Sequence, residues 1–203
     1  MANELTMTSS DYNFLEEEFK NRQVKSGSVL ISEPFLHDDN FSRTVILINE
    51  HNEKGSFGLI LNRPLGKNLS DVVEGFGEVP IPLYSGGPVD LDTLHVIHTI
   101  GPQVPGSVLI SEKLFWGGDI EYLRTLAANG NLDPQAVKFF IGYSGWMSNQ
   151  LDAEIKVKSW VVTTLTPEEI FNLPPEDMWR SCLESLGGKF KEWLNFPVDP
   201  ILN

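Results

Sequence analysis

Residues 43–62 read RTVILINEHNEKGSFGLILN, and this stretch decides the fold class. Two apolar runs, residues 43–50 and 56–62, have the length and the β-branched content of strands. The HNEKG segment between them ends in Gly55, a residue type that suits a left-handed turn position. The stretch therefore predicts a β-hairpin.

Strand and helix patterns alternate irregularly on either side of this hairpin. Further strands are predicted at 29–32, 94–99, 137–143 and 159–164, and helices at 11–23, 69–76, 119–128, 149–155, 167–171 and 177–186. A regular strand–helix–strand period is missing. The pattern therefore favours an α+β fold with a mixed, mostly antiparallel sheet over a doubly wound fold.

The chain is predicted to form one domain, because no Ser/Gly linker or charge block marks an internal boundary. Residues 27–203 form this domain, and residues 1–26 form an N-terminal extension with a disordered lead and the short helix at 11–23. The heptapeptide GSVLISE occurs at 27–33 and again at 106–112. Two copies do not make a repeat architecture, so the duplication predicts two equivalent buried strands.

Composition restricts the possible partners and the compartment. The 203 residues include 28 Asp and Glu against 15 Lys and Arg, which gives a formal charge of −13. Such a chain is repelled by phosphate, so direct binding to nucleic acid or to an anionic membrane is not expected. The N-terminus has no basic region followed by an apolar stretch, and no apolar run reaches the length of a membrane helix. A cytoplasmic protein is expected.

Nothing in the sequence names a reaction. The GYSGW segment at 142–146 follows a predicted strand, but Trp146 stands where a nucleophile elbow needs glycine. A tight turn from strand to helix is expected there instead. His95 and His98 are three apart in a strand, so they point to opposite faces and do not predict a metal site.

Two other features are also more typical of structure than of chemistry. The SGGP turn at 85–88 lacks a following lysine, so it does not predict a phosphate-binding loop. Cys182, the single cysteine, lies on the apolar stripe of a predicted helix and indicates a core residue. No cofactor and no metal ion are predicted, and enzymatic activity is left open but not favoured.

Several short motifs follow one another between residues 28 and 187. Their positions are Asp38, Phe41, Arg43, Thr44 and Val45; Glu50, His51 and Gly55; Gly58, Asn62 and Pro64; Gly86, Gly87, Pro88 and Val89; His98; and Gly142, Tyr143, Gly145, Trp146, Gln150, Leu151 and Glu154. Taken in order, these motifs resemble those of the AlgH/YqgE family, a group of bacterial proteins without an established function. The chain departs from the family pattern at Ser144, where alanine is usual, and at Asn149, where glycine is common.

The resemblance implies an α+β fold with a branched β-sheet surrounded by helices. It also implies a shared set of polar and glycine positions. The candidate binding residues are His51, Asn62, Arg63, Gly86, Gly87, His98, Gly145, Trp146 and Gln150. Family members are often labelled transcriptional regulators, but the negative charge of this chain argues against direct contact with DNA.

Three functions are left open. The first is a binding module for a small ligand or a protein partner, in which Arg63 and backbone amides bind an anion and Trp146 forms an aromatic wall. The second is a hydrolase or transferase with His51 or His98 as general base. The third is a regulator of transcription, with any effect on DNA indirect. We rank binding first, enzymatic activity second and direct DNA binding last.

Overall fold

A computed structural model describes residues 23–36, 38–77 and 79–196. The helix predicted at 11–23 lies almost entirely outside these described residues. The strands are β1 (Val29–Ser32), β2 (Val45–Asn52), β3 (Gly55–Ile60), β4 (Pro64–Asn68), β5 (Pro82–Ser85), β6 (Val89–His98), β7 (Ser107–Ser111), β8 (Leu114–Gly117), β9 (Val137–Met147) and β10 (Trp160–Thr163). The helices are α1 (Ile120–Ala128), α2 (Gln150–Lys156), α3 (Pro167–Asn172) and α4 (Pro175–Leu186), with 3-10 turns at Leu69–Asp71, Pro134–Ala136 and Gly188–Asn195.

The strands form one branched sheet. Its main path runs β10-β1-β2-β3-β9-β6-β8-β7, and every pair along it is antiparallel. The first half of β9 pairs in parallel with β5, which also pairs with β4, whereas the second half of β9 pairs with β3. The sheet therefore branches at β9, and the predicted α+β fold with a mixed, mostly antiparallel branched sheet is confirmed.

Most predicted elements are present. The hairpin is confirmed as β2 and β3, with Asn52 paired to Gly55. The helix predicted at 69–76 is wrong beyond its first turn, because Leu69–Asp71 is a short 3-10 turn and Gly75 then takes a positive φ of 88°. Strands β4, β5 and β8 were not predicted as strands.

The GYSGW segment is strand rather than turn. Strand β9 continues to Met147, and the chain turns only at Asn149, which has a φ of 61°. The buried Ser144 hydroxyl donates to the carbonyl of Gly86 at 3.1 Å. The expected tight turn at 142–146 is therefore wrong, and Ser144 is a sheet residue with a satisfied hydrogen bond.

The two GSVLISE copies are both strands, but they are not equivalent. In β1, Val29 and Leu30 are fully buried because β2 and β10 lie on either side. In β7, which pairs with β8 alone among the described strands, Val108 is 51% and Leu109 61% exposed. The prediction of two buried strands is wrong for the second copy, since identical residues here occupy a central and an edge position.

Helices α3 and α4 cover one face of the sheet. Ile170 of α3 and Trp179, Cys182 and Leu183 of α4 pack in one cluster with β-strand residues. The predicted core position of Cys182 is confirmed, and burial raises the pKa of its thiol to about 12, with Glu169 acting in the same direction. No helix in the described ranges is long and apolar enough to cross a membrane.

Candidate functional site

The nine predicted site residues do not share one of the cavities that described residues form. Asn62 and Arg63 line the first of these, and Arg63 and Gly87 line a second. Gly145, Trp146 and Gln150 border a shallow third depression beside the β2–β3 hairpin. The remaining three, His51, Gly86 and His98, border none of the three.

The first cavity is rich in arginine, and we call it the arginine cavity. It has a volume of about 290 Å³. Its lining residues are Arg43, Asn62, Arg63, Pro175, Glu176, Trp179 and Arg180. The chain has five arginines in all, so three of them surround this one space. Such a concentration of guanidinium groups in a chain of net charge −13 makes this cavity the strongest candidate site.

Arg43 is held by contacts on two sides. Its guanidinium carbon lies 4.9 Å from the ring centroid of Trp179, within cation–π range, and Nη2 donates to the carbonyl of Phe196 at 2.6 Å. Trp179 is itself anchored, because its indole N–H donates to the carbonyl of Ser32 at 3.0 Å. The aromatic wall of the cavity is therefore a fixed surface.

Asn62 fixes the backbone that carries Arg43. Its Oδ1 accepts from the amide of Val45 at 3.0 Å, and its Nδ2 donates to the carbonyl of Arg43 at 3.0 Å. Arg43 has a φ of 51°, a left-handed conformation that non-glycine residues seldom adopt. The amide of Asn62 thus stabilises an uncommon backbone conformation at the edge of the cavity.

Two causes lower the pKa of arginines at the cavity. Burial lowers the pKa of both Arg43 and Arg63, and the charge of Arg180 lowers that of Arg43 further. Guanidinium groups nevertheless stay protonated in proteins. Glu176 is the one acid in the lining, and Glu184 lies 3.8 Å from Arg180 on an exposed surface. A bound anion would offset this repulsion.

Trp146 packs in a core cluster and also borders the third depression. It is 6% exposed, and its indole N–H donates to Oε2 of Glu154 at 2.8 Å. Trp160 donates to the same oxygen at 2.7 Å, and Gln150 donates to Oε1 at 3.0 Å. Trp146 does not line the arginine cavity, whose aromatic lining residue is Trp179. The residues of the W…Q-L-x-x-E motif therefore hold α2 against the sheet through hydrogen bonds to Glu154.

Glu154→Gln should lower the free energy of unfolding by about 1–2 kcal/mol. The single amide oxygen of glutamine can replace the acceptor for both indoles, but its NH₂ group then faces the amide donor of Gln150. At least one buried donor is left without an acceptor. Urea denaturation followed by tryptophan fluorescence measures the loss.

Asp152→Asn serves as the control, since Asp152 is exposed on the same helix. A change of under about 0.5 kcal/mol is expected there. Equal stability of the Glu154→Gln and wild-type proteins would contradict the anchoring role.

The two candidate histidines lie in different surroundings. His98 is fully buried, stacks on Phe115 at 5.6 Å, and has no hydrogen-bond partner for either ring nitrogen among the described residues. Burial lowers the pKa of His98. The nearby backbone of Gly117 raises this pKa, although it is not placed to form a hydrogen bond with the ring. His51 contacts the hydroxyl of Ser56, with 2.8 Å between Nδ1 and Oγ. Only His51 is placed for proton transfer.

The Gly-Gly turn allows two strands to touch. A Cβ on Gly86 would lie 2.2 Å from the carbonyl oxygen of Gly142, and one on Gly87 would lie 2.3 Å from the carbonyl of Tyr143. These glycines therefore serve close backbone packing. The described residues contain no group of three or more His, Cys, Asp or Glu side chains that could hold a metal ion.

Five lining residues of this cavity were not among the predicted site residues: Arg43, Pro175, Glu176, Trp179 and Arg180. Arg43 was matched to a family motif but not assigned to a site, and Trp179 and Arg180 stood only in a predicted helix. Their placement depends on α4 packing beside the loop before β2, which no local pattern encodes. The R-(S/T)-V motif at Arg43 was the available signal.

Fold and site together define a class: an α+β protein with a branched sheet and an arginine-lined cavity between its sheet loops and a C-terminal helix. The family model described as AlgH-like matches residues 29–191. The chain belongs to this AlgH-like family, and the resemblance stated from the sequence motifs is confirmed.

Similar sequences and solved structures support membership of this family. The chain is 42% identical over 180 residues to a UPF0301 protein of Chlorobaculum tepidum, covering 89% of this chain and 96% of that one. It is 41% identical over 178 residues to one of Bacteroides thetaiotaomicron, covering 87% and 90%. The solution structure of AlgH from Pseudomonas aeruginosa superposes with a TM-score of 0.67 at 29% identity, covering 87% and 98%. A Corynebacterium diphtheriae crystal structure has a TM-score of 0.72 at 23% identity, covering 86% and 94%.

Proposed function

We propose that this protein is a cytoplasmic binding module that takes a small anion, a phosphate ester or a carboxylate, in the arginine cavity. It acts without direct contact to DNA. The observation that carries the proposal is the concentration of three of five arginines around one space in a chain of net charge −13. Glu176 offsets one of these three charges, so the lining keeps a net positive charge that a bound anion would neutralise.

The chemistry of the lining favours an oxyanion. A planar guanidinium presents paired N–H donors that match the oxygens of carboxylate and phosphate, and such bonds are about twice as strong as neutral ones. Arg43 is preoriented by Trp179 and Phe196, so little conformational entropy is lost when it binds. Arg180 is exposed and adds a third guanidinium group to the lining.

Arg180→Gln should weaken the binding of inorganic phosphate by about tenfold, since a hydrogen bond to a charged group contributes about 1.5–3 kcal/mol. Isothermal titration at fixed pH and ionic strength measures the affinity. Arg180 is exposed and lies 3.8 Å from Glu184, so the variant is expected to fold.

Arg124→Gln is the matched control. It removes the same charge from an arginine that pairs with Glu121 and borders none of the three cavities. Its phosphate affinity should stay within about twofold of wild type. Equal weakening in both variants, or wild-type protein that binds neither phosphate nor citrate, would exclude the proposed site.

A hydrolase with His51 as base is the second candidate, favoured by the 2.8 Å contact between His51 and Ser56. A base this close to a hydroxyl is the arrangement that activates a serine. The test is covalent labelling with a fluorophosphonate probe, with Ser56→Ala as the control. Labelling that disappears in Ser56→Ala would rank this function first, and the anion-binding proposal expects no labelling.

A further inference from the structure

Arg63 borders a second cavity as well as the arginine cavity. This neighbouring space has a volume of about 370 Å³, and its apolar lining consists of Ile60, Pro64, Leu65, Pro88 and Leu91. We call it the leucine cavity. The loop that joins β3 to β4 contributes to both spaces, because Asn62 and Arg63 line one while Arg63 and Pro64 line the other.

Two leucines at this cavity are unusually exposed. Leu65 is 43% and Leu91 64% exposed, although the same chain buries eleven leucines in its core. Apolar surface at the rim of a concave space gains free energy when another apolar group removes it from water. The leucine cavity is therefore suited to hydrocarbon.

One acid sets the charge preference of the leucine cavity. Asp39 lies in its lining at one side and Arg63 at the junction, whereas Arg43 and Arg180 line only the arginine cavity. A second negative group at the far end of a ligand would meet Asp39 and be repelled. The two cavities together thus favour a molecule with one anionic end and one uncharged end.

We propose that the ligand of the arginine cavity is an amphiphilic monocarboxylate whose short apolar chain lies in the leucine cavity. This inference rests on the proposed function and specifies its ligand class. Arg63 stands at the junction, with its guanidinium held by the carbonyl of Ser42. The carboxylate contacts the arginines, and the chain leaves past Pro64 toward Leu65 and Leu91.

The test is a titration series of acetate, butyrate, hexanoate and octanoate at fixed pH and ionic strength. Each fully buried methylene contributes about a fourfold gain in affinity, so at least about a tenfold gain from acetate to hexanoate is expected. Adipate, which has a carboxylate at both ends, should bind more weakly than hexanoate.

Leu65→Ser and Leu91→Ser should reduce the gain in carboxylate affinity with chain length and leave the affinity for inorganic phosphate unchanged. Both side chains are exposed, so neither substitution opens a core cavity. Val157→Ser is the control, because Val157 is also an exposed apolar residue and borders none of the three cavities. It should retain the wild-type series.

The outcomes separate the two proposals. Phosphate binding that depends on Arg180, together with a flat chain-length series, would overturn the amphiphile and leave the anion site in place. A rising series that persists in Leu65→Ser and Leu91→Ser would also overturn it. A wild-type protein that binds neither phosphate nor any of the carboxylates would overturn both the anion site and the amphiphile.

Discussion

Gly86→Ala is expected to destabilise the protein by about 3–5 kcal/mol. Gly86 lies where the sheet branches: its amide donates to Ile141 of β9 at 2.8 Å, and its carbonyl accepts from Ile60 of β3 at 3.0 Å. A Cβ there would lie 2.2 Å from the carbonyl oxygen of Gly142 and 2.8 Å from Leu59. Backbone atoms cannot move away as a side chain can, so one of the strands has to separate.

Gly145→Ala is the control for this substitution. Gly145 lies on the same strand β9 and faces solvent, and the nearest atom to its added Cβ is the edge of the Tyr143 ring at 3.1 Å. A loss of under about 1 kcal/mol is expected. Urea denaturation gives both values, and a Gly86→Ala protein within about 1 kcal/mol of wild type would show that the strands do not meet as closely as described.

The sequence predicts the individual strands but not the branch of the sheet. Individual strands follow from β-branched runs, and the hairpin follows from HNEKG. The branch itself depends on β3 and β5 sharing one edge of β9, which involves residues more than fifty positions apart. The GGPV motif marks the place, but its physical reason is a contact between backbones that only the folded chain shows.

Strands β1 and β7, which lie in identical seven-residue segments, also show that local sequence does not determine burial. Local propensity is equal for the two GSVLISE copies, so it predicts a strand twice and is correct twice. Burial differs because β10 covers one edge of β1, whereas no described strand covers the corresponding edge of β7. Position in a sheet is a tertiary property.

The candidate site was predictable in part. Asn62 and Arg63 were named from the family motif, and both line the arginine cavity. Trp146 and Gln150 were named for the same reason and instead anchor a helix. Sequence motifs record residues that the fold needs together with those that bind, and hydrogen-bond partners are required to separate the two groups.

Lys138 is a buried charge that no sequence pattern indicated. Its ammonium group donates to the carbonyl of Ile170 at 3.0 Å and lies 4.5 Å from the ring centroid of Tyr84. Burial lowers its pKa to about 8 from an ordinary value of 10.5. Between these two pH values the native amine is neutral while the unfolded amine is protonated, so the unfolded state binds more protons and stability rises with pH.

Lys138→Met should remove this rise. Relative to the variant, the wild-type protein should gain about 3 kcal/mol of stability between pH 8 and pH 10.5, and the difference between the two should be constant below pH 8. Guanidinium denaturation at several pH values measures it.

Cys182→Ala provides a control of opposite sign. The raised thiol pKa of about 12 means that the wild-type protein loses stability relative to Cys182→Ala as the pH rises above 9, the ordinary value of a thiol. Between pH 9 and pH 10.5, the stability of the wild-type protein should therefore rise relative to Lys138→Met and fall relative to Cys182→Ala. Parallel curves for wild type and Lys138→Met over this range would mean that the amine is hydrated in the native protein, and that α3 does not cover it as described.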